Sequence, residues 1–190
     1  MEKDLNRGDW LQAARMALLK GGVEAVRVEQ LARTLHVTKG SFYWHFKDRE
    51  ELLESLLREW EDEFVQDIVP RLQGRRGRDG LLFLVRLMVE RAPLGEAGTL
   101  PSDAAVFTWA SVSPEIARRV NRAERKRIGV LKRIIGSTDH TELLYLVWLG
   151  FVARGQRVPG SRKRFPRIAR AILELFPPED RRKQKRPKKG

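Results

Sequence analysis

Apolar residues recur every three or four positions through most of this chain, the interval that gathers them on one side of an α-helix. Leu11, Ala14 and Leu18 open the pattern. Asp9, followed three residues later by Gln12, reads as a capping box at the start of this helix, and Gly21-Gly22 as its left-handed stop. A second, short helix is predicted from about Val28 to Leu35, with Leu31 and Leu35 inward and Arg33 outward. After a brief turn at His36-Val37, Thr38 reads as the N-cap of a third helix. Asp48 and Glu51 form another capping pattern. It opens a longer helix through Leu52, Leu53, Leu56, Leu57, Trp60 and Phe64, which Pro70 should stop.

Farther on, GRRGRDG (74–80) predicts a mobile linker, because glycine and like charges both disfavour order. A helix from about Asp79 to Arg91 follows, then the breaker-rich APLGEAGTLPS. Ser113-Pro114-Glu115 supplies an N-cap, a first-turn proline and an acid at the positive dipole end of a helix running to about Ile135. Asp139 and Glu142 should cap the next helix, and a last one from about Lys163 ends at Phe176, before Pro177-Pro178. No stretch alternates with period two, and no internal repeat is visible. The expected fold is all-α. A three-helix domain with a helix-turn-helix occupies 1–48, a long helix joins it to a helical domain over 49–176, and 177–190 is a basic, disordered tail.

Composition narrows the functions available. The hydrophobic content of 42% suits a globular chain. Without cysteine there are no disulfides, thiolate metal sites or cysteine nucleophiles, and three histidines (His36, His45, His140) are a poor basis for a multi-ligand metal site. No metal and no cofactor is expected. The opening MEKDLNRGDW has no apolar segment of the signal-peptide kind, and the apolar run Leu143 to Ala153 is shorter than the ~20 residues a membrane span needs. A soluble, cytoplasmic protein is expected. The net charge of +13 is unevenly spread: −3 over residues 1–66, zero over 67–117 and +16 over 118–190. Part of that excess is the tail EDRRKQKRPKKG, readable as a solvated end or as a source of sequence-independent nucleic-acid affinity. Global basicity therefore does not locate a nucleic-acid site.

The local pattern VTKGSFYWHFKDREEL (37–52) does. Phe42 and Phe46 are four apart on a helix, share a face and can form a small core with Leu31 and Val37. Lys39, Ser41, Tyr43 and Trp44 project elsewhere, with His45 and Lys47 at the exit. Two rings would serve packing and two a partner. An aromatic mini-core beside ordinary surface charges is the plainer alternative. In a helix-turn-helix, the second helix enters the major groove of double-stranded DNA. Tyr43 could offer its hydroxyl to a phosphate, Lys39 or Ser41 could reach base edges, and Gly40 permits close backbone approach.

These residues resemble the TetR (tetracycline-repressor-like) family of transcriptional regulators. The shared pattern runs from Ala13-Ala14 through Gly22 and Leu31-Ala32 to Val37-Thr38-Lys39-Gly40-Ser41-Phe42-Tyr43-Trp44-His45-Phe46 and on to Leu52, about 45 residues. The resemblance implies base-edge or groove contacts for Lys39, Gly40 and Ser41. It implies phosphate contacts for Thr38, Tyr43, Trp44, His45 and Lys47, and a basic contact from Arg49. The family usually opens its second helix with a phosphate-binding hydroxyl residue. Here Arg27-Val28 stands there, and Arg27 could replace that contact by charge. Glu29 nearby would repel DNA unless it accepts a hydrogen bond from cytosine.

In the remaining domain, Met88, Phe107, Trp109 and Tyr145 are candidates for an effector pocket that the resemblance implies, apolar with few polar groups. Ordinary core is the alternative for each. The run Leu143 to Ala153 is apolar around the whole helix and must be covered on every side, by its own protomer or by a partner subunit. With the last helix beside it, Leu146, Val147, Ile168 and Ile172 would then line a homodimer interface of four helices, which the resemblance also implies. No nucleophile with base and orienting group is apparent, so no catalytic residue and no enzyme is expected. The expected function is a dimeric repressor on a near-palindromic operator, released by a small, apolar effector. A DNA-binding regulator or architectural factor without an effector, controlled by a protein partner, is the alternative.

Overall fold

The computed structural model describes residues 5–91, 101–158 and 161–174. Within them the chain is helical throughout, with no strand: α1 (Arg7–Gly21), α2 (Val28–Leu35), α3 (Lys39–Phe42), α4 (Arg49–Glu63), α5 (Val69–Arg71), α6 (Gly77–Arg91), α7 (Pro101–Val112), α8 (Pro114–Ile135), α9 (Thr138–Arg157) and α10 (Phe165–Glu174). The sequence expectations for 92–100, for the helix end at 175–176 and for the tail 177–190 lie outside the described residues. None of the described helices is long and apolar enough to cross a membrane.

Three helix ends differ from those read from the sequence. The capping box of α1 is Asn6 with Asp9, three residues earlier than expected. The Asn6 side chain accepts from the Gly8 and Asp9 N–H groups, and the Asp9 carboxylate accepts from Asn6 N–H at 2.9 Å. The α9 cap is Ser137, whose hydroxyl accepts from His140 N–H at 3.3 Å, and not Asp139. Pro70 does not stop the long helix. Residues Phe64–Ile68 form a π turn in which Val69 N–H donates to Phe64 O, and the helix resumes as α5 with Pro70 in its first turn. Proline is tolerated there because the first turn of a helix does not need its N–H.

The predicted mobile linker 74–80 also reads differently. Helix α6 begins at Gly77, and a Cβ on Gly80 would stand 2.5 Å from Ile134 Cγ2 on α8. Gly80 serves close packing of α6 on α8, where the sequence suggested flexibility. The helix Pro101–Val112 was not foreseen.

The head formed by α1 to α3 buries Trp10, Leu11, Ala14, Leu18, Leu31, Ala32, Phe42 and Phe46, and this core continues past residue 48 into Leu52, Leu53 and Leu56 of α4. Ala105 of α7 joins the same core, so the body packs directly on the head. Farther along α4, Leu57 and Trp60 meet Val106 of α7 and Ile116, Val120 and Ala123 of α8. A third core gathers Leu81, Leu84 and Val85 of α6 with Leu131 and Ile134 of α8, Leu144 and Tyr145 of α9, and Ala169 and Ile172 of α10. Ile172, expected at an interface, is only 6% exposed and belongs to this internal core. The reason is that α10 packs chiefly on α6, where it was expected beside α9.

Candidate nucleic-acid interface

Helix α2 ends at His36, the one non-glycine residue with positive φ among those described (φ 59°, ψ 41°). This left-handed turn lets Val37 N–H donate to Ala32 O at 3.0 Å and redirects the chain into α3. Only Lys39–Phe42 forms α3 proper. Tyr43 to His45 continue as turns, with His45 N–H and Phe46 N–H both donating to Phe42 O. Thr38 holds the N-cap position, but its side chain makes no capping bond.

The four rings divide as their spacing predicts. Phe42 and Phe46 are buried and stacked, with centroids 5.5 Å apart, and Trp10 meets Phe42 edge-on at 5.2 Å. Burying each such ring contributes about 1.5–3 kcal/mol. Tyr43 and Trp44 point outward, 54% and 87% exposed, so neither ring is spent on the internal core. Thr38, Lys39, Gly40 and Lys47 are exposed beside them, while Ser41 and His45 are half-buried. A Cβ on Gly40 would meet nothing closer than Thr38 Oγ1 at 3.6 Å. The protein's own packing therefore makes no demand for glycine at 40.

Three predicted contact residues have partners inside the protein. Lys39 Nζ is paired with the Glu29 carboxylate. That hydrogen bond draws the Glu29 carboxyl below its usual range and holds the Lys39 ammonium above its own. Arg27 Nε donates to Glu24 O at 3.0 Å. Arg49 donates to Val26 O and Val23 O, both at 2.7 Å, tying the start of α4 to the turn before α2. Sequence reasoning missed Arg7, which clamps the exit of the motif. Its guanidinium lies 4.0 Å from the Phe46 ring centre, donates to His45 O at 2.6 Å and Ser55 Oγ at 2.8 Å, and pairs with Glu51 at 3.1 Å.

The four pocket candidates do not share one cluster. Met88 and Tyr145 belong with the third core, Phe107 meets Trp60 edge-on at 6.1 Å, and Trp109 lies between the head core and the α4–α7–α8 core. Near them the sequence reading overlooked a polar knot. Asp103 accepts from Trp60 Nε1 at 2.6 Å, Trp148 Nε1 at 3.0 Å and Arg127 Nη1 at 3.2 Å. Arg127 also donates to Trp60 O at 2.8 Å and stacks over the Trp60 ring at 4.2 Å. Tyr145 donates to Glu124 at 2.9 Å, and burial, reinforced by that carboxylate, pushes its phenol well above the usual range. The signal was available: Arg127 falls in phase with the buried stripe Ile116, Val120, Ala123, Leu131 and Ile134.

A short outward-facing helix seated on a buried aromatic pair, and carried by an all-helical body, defines a helix-turn-helix protein. Residues 11–56 match the family described as bacterial regulatory proteins, tetR family. The HTH-type transcriptional regulator TtgR of Pseudomonas putida is 36% identical over 56 residues, 30% of this chain and 27% of the relative. The HTH-type transcriptional regulator SrpR of the same species is 31% identical over 81 residues, 43% of this chain and 38% of the relative. The matched stretch thus spans about a quarter to two fifths of these curated relatives. The fold extends further. The fatty acid degradation regulator FadR from Bacillus halodurans superposes over 91% of this chain and 97% of its own, with a TM-score of 0.60 and 17% identity. NalD, the secondary repressor of the MexAB-OprM multidrug efflux pump in Pseudomonas aeruginosa, does so over 88% and 94%, with a TM-score of 0.57 and 18% identity.

Proposed function

We propose that this protein is a sequence-specific DNA-binding transcriptional repressor, acting as a homodimer on a near-palindromic operator and released by a small-molecule effector. The observation that carries the reading is the outward face of the motif. Trp44, Tyr43, Lys39, Thr38 and Gly40 are presented to solvent on a seat made rigid by Phe42, Phe46 and Arg7. Tyr43 and Thr38 offer hydroxyls suited to phosphate, and Lys39 a donor suited to guanine O6 or N7. Gly40, unneeded by the fold, leaves room for a sugar-phosphate strand. The tetR-family match over 11–56 supports the same assignment.

Footprinting on a selected operator tests it. Tyr43→Phe should weaken binding similarly across sequences. Lys39→Ala should relax preference at one or two base pairs, by about 1–3 kcal/mol for a bidentate contact. Glu29→Gln, which releases Lys39, should shift preference at the same positions. Unchanged affinity and preference in all three variants would remove α3 from the interface.

The dimer rests on α9. Leu143, Leu146, Gly150 and Ala153 fall on one side of this helix and are exposed, Leu146 at 63%. Apolar surface of this kind favours a second copy, and two-fold symmetry doubles the few contacts that one short reading helix can make. Leu146→Arg should convert the dimer to monomer and abolish operator binding, while leaving the protomer folded because the side chain lies outside its core. Sedimentation of the wild type as a monomer at micromolar concentration would rule the dimer out. Release follows if an effector binds the DNA-incompetent state better, with operator weakening effector binding by the same factor.

A further inference from the structure

Helix α8 uses its cations in two ways. Arg119 and Arg127 turn inward, the first onto Glu61 and Glu54 of α4, the second onto Asp103, and Lys132 pairs with Glu142. Arg118, Arg122, Arg125, Lys126 and Arg133 are all exposed, and none of them forms an ion pair among the described residues. At 3.6 residues per turn the five fall within an arc of roughly 100°, on the side of the helix away from the buried stripe. They extend over roughly 22 Å of its axis. Glu115 lies on the same side in the first turn and pairs with none of them. In the head, by comparison, Arg7, Arg15 and Lys39 have carboxylate partners, and the exposed cations Lys20, Arg27, Arg33 and Lys47 do not form a row along one helix.

A row of like charges at helical spacing repels itself and destabilises the helix that carries it, so a bound polyanion would relieve a standing cost. Four of the five cations are arginines, whose planar forks suit phosphate oxygens. The apolar stripe of α8 is spent on the interior, against α4, α6, α7 and α9. The helix therefore has no apolar face left to lay into a lipid surface. Duplex DNA, with one phosphate charge per ~1.7 Å of its axis, can occupy the whole stripe. Because Arg119 ties α8 to Glu54 and Glu61, the stripe also has a fixed bearing on the helix that follows the reading head.

We propose that the outward face of α8 is a second, sequence-independent contact for the phosphate backbone of duplex DNA, separate from the base-reading contact of α3. This rests on the DNA-binding function proposed above, and the test separates the two. The full-length triple variant Arg122→Gln/Arg125→Gln/Lys126→Gln is titrated with a non-operator duplex at several salt concentrations, with thermal melting and sedimentation as controls for fold and assembly. The slope of log affinity against log salt should become shallower by up to about 2.7, at roughly 0.9 for each phosphate no longer neutralised. The Arg122→Lys/Arg125→Lys variant should keep the wild-type slope, since it keeps the charge. A triple variant with the wild-type slope overturns this proposal alone, provided Tyr43→Phe and Lys39→Ala still impair operator binding. If those head variants are also without effect, the DNA-binding reading itself fails. Binding of the wild type, but not the triple variant, to phosphatidylserine-containing vesicles, with an unchanged duplex slope, would reassign the face to lipid and overturn it too.

Discussion

Arg127→Met should destabilise the protein by about 3–5 kcal/mol, the usual cost of removing one partner from a buried ion pair. Asp103 would keep its two indole donors but lose its cationic partner, in a site where both side chains are nearly shut off from water (10% and 15% exposed). The Trp60 carbonyl would lose the donor at 2.8 Å, and the Trp60 ring its guanidinium. For a chain of this size the melting temperature should fall by roughly 10 °C. Asp103→Leu should be costly for the mirror-image reason, whereas Arg127→Met with Asp103→Leu should be far less costly than the sum, because no charge is stranded. Urea unfolding of the three variants measures the coupling. Additive effects, or a single-variant cost below about 1 kcal/mol, would mean that the pair does not hold α4, α7, α8 and α9 together as its geometry implies.

Phe42→Ala is expected to be the most damaging change in the head. Its ring is wholly buried, touches Trp10, Tyr43 and Phe46 at centroid distances of 5.2–5.5 Å, and leaves a cavity that neighbouring rigid rings cannot fill. Core phenylalanine truncations cost about 3–5 kcal/mol. Operator binding should disappear with it, since Tyr43 and Lys39 are aimed by the turn that Phe42 anchors. Tyr43→Phe is the contrast: its ring is half-exposed, so it should melt like the wild type while binding less tightly. Denaturation curves and binding isotherms on the same preparations distinguish the two. A Phe42→Ala protein with wild-type stability would show that the aromatic pair is not the seat of the reading helix.

The head was legible because its signals are local. Helical spacing separated Phe42 and Phe46 from Tyr43 and Trp44, and an outward Trp44 is what that spacing requires. The helix limits at Val28–Leu35 and Pro114–Ile135 followed from a turn and from an N-cap with a first-turn proline, both carried by adjacent residues. Misread elements share a different cause. Asn6–Asp9 and Asp9–Gln12 have the same spacing, and only the backbone shows which pair closes the box. Gly80 resembles a hinge glycine until Ile134 of another helix is seen against it.

What the sequence determined by itself, then, is the all-helical architecture, the two-way division of the motif's aromatic rings and the tetR-like run from Ala13 to Leu52, since each depends on residues within a few turns of one another. Tertiary structure alone decided how distant charges were matched. It joined Lys39 to Glu29 across the turn, Arg7 to Glu51, Arg119 to Glu54 and Glu61, and Arg127 to Asp103. Among the cations on α8, helical phase sets Arg127 in line with the buried stripe, but it does not say which carboxylate any of them will meet. Some are consumed inside the protein and others left facing solvent, because a guanidinium on a flexible stem pairs with whichever carboxylate the packing of helices brings within about 4 Å, and that proximity is not written in any local pattern.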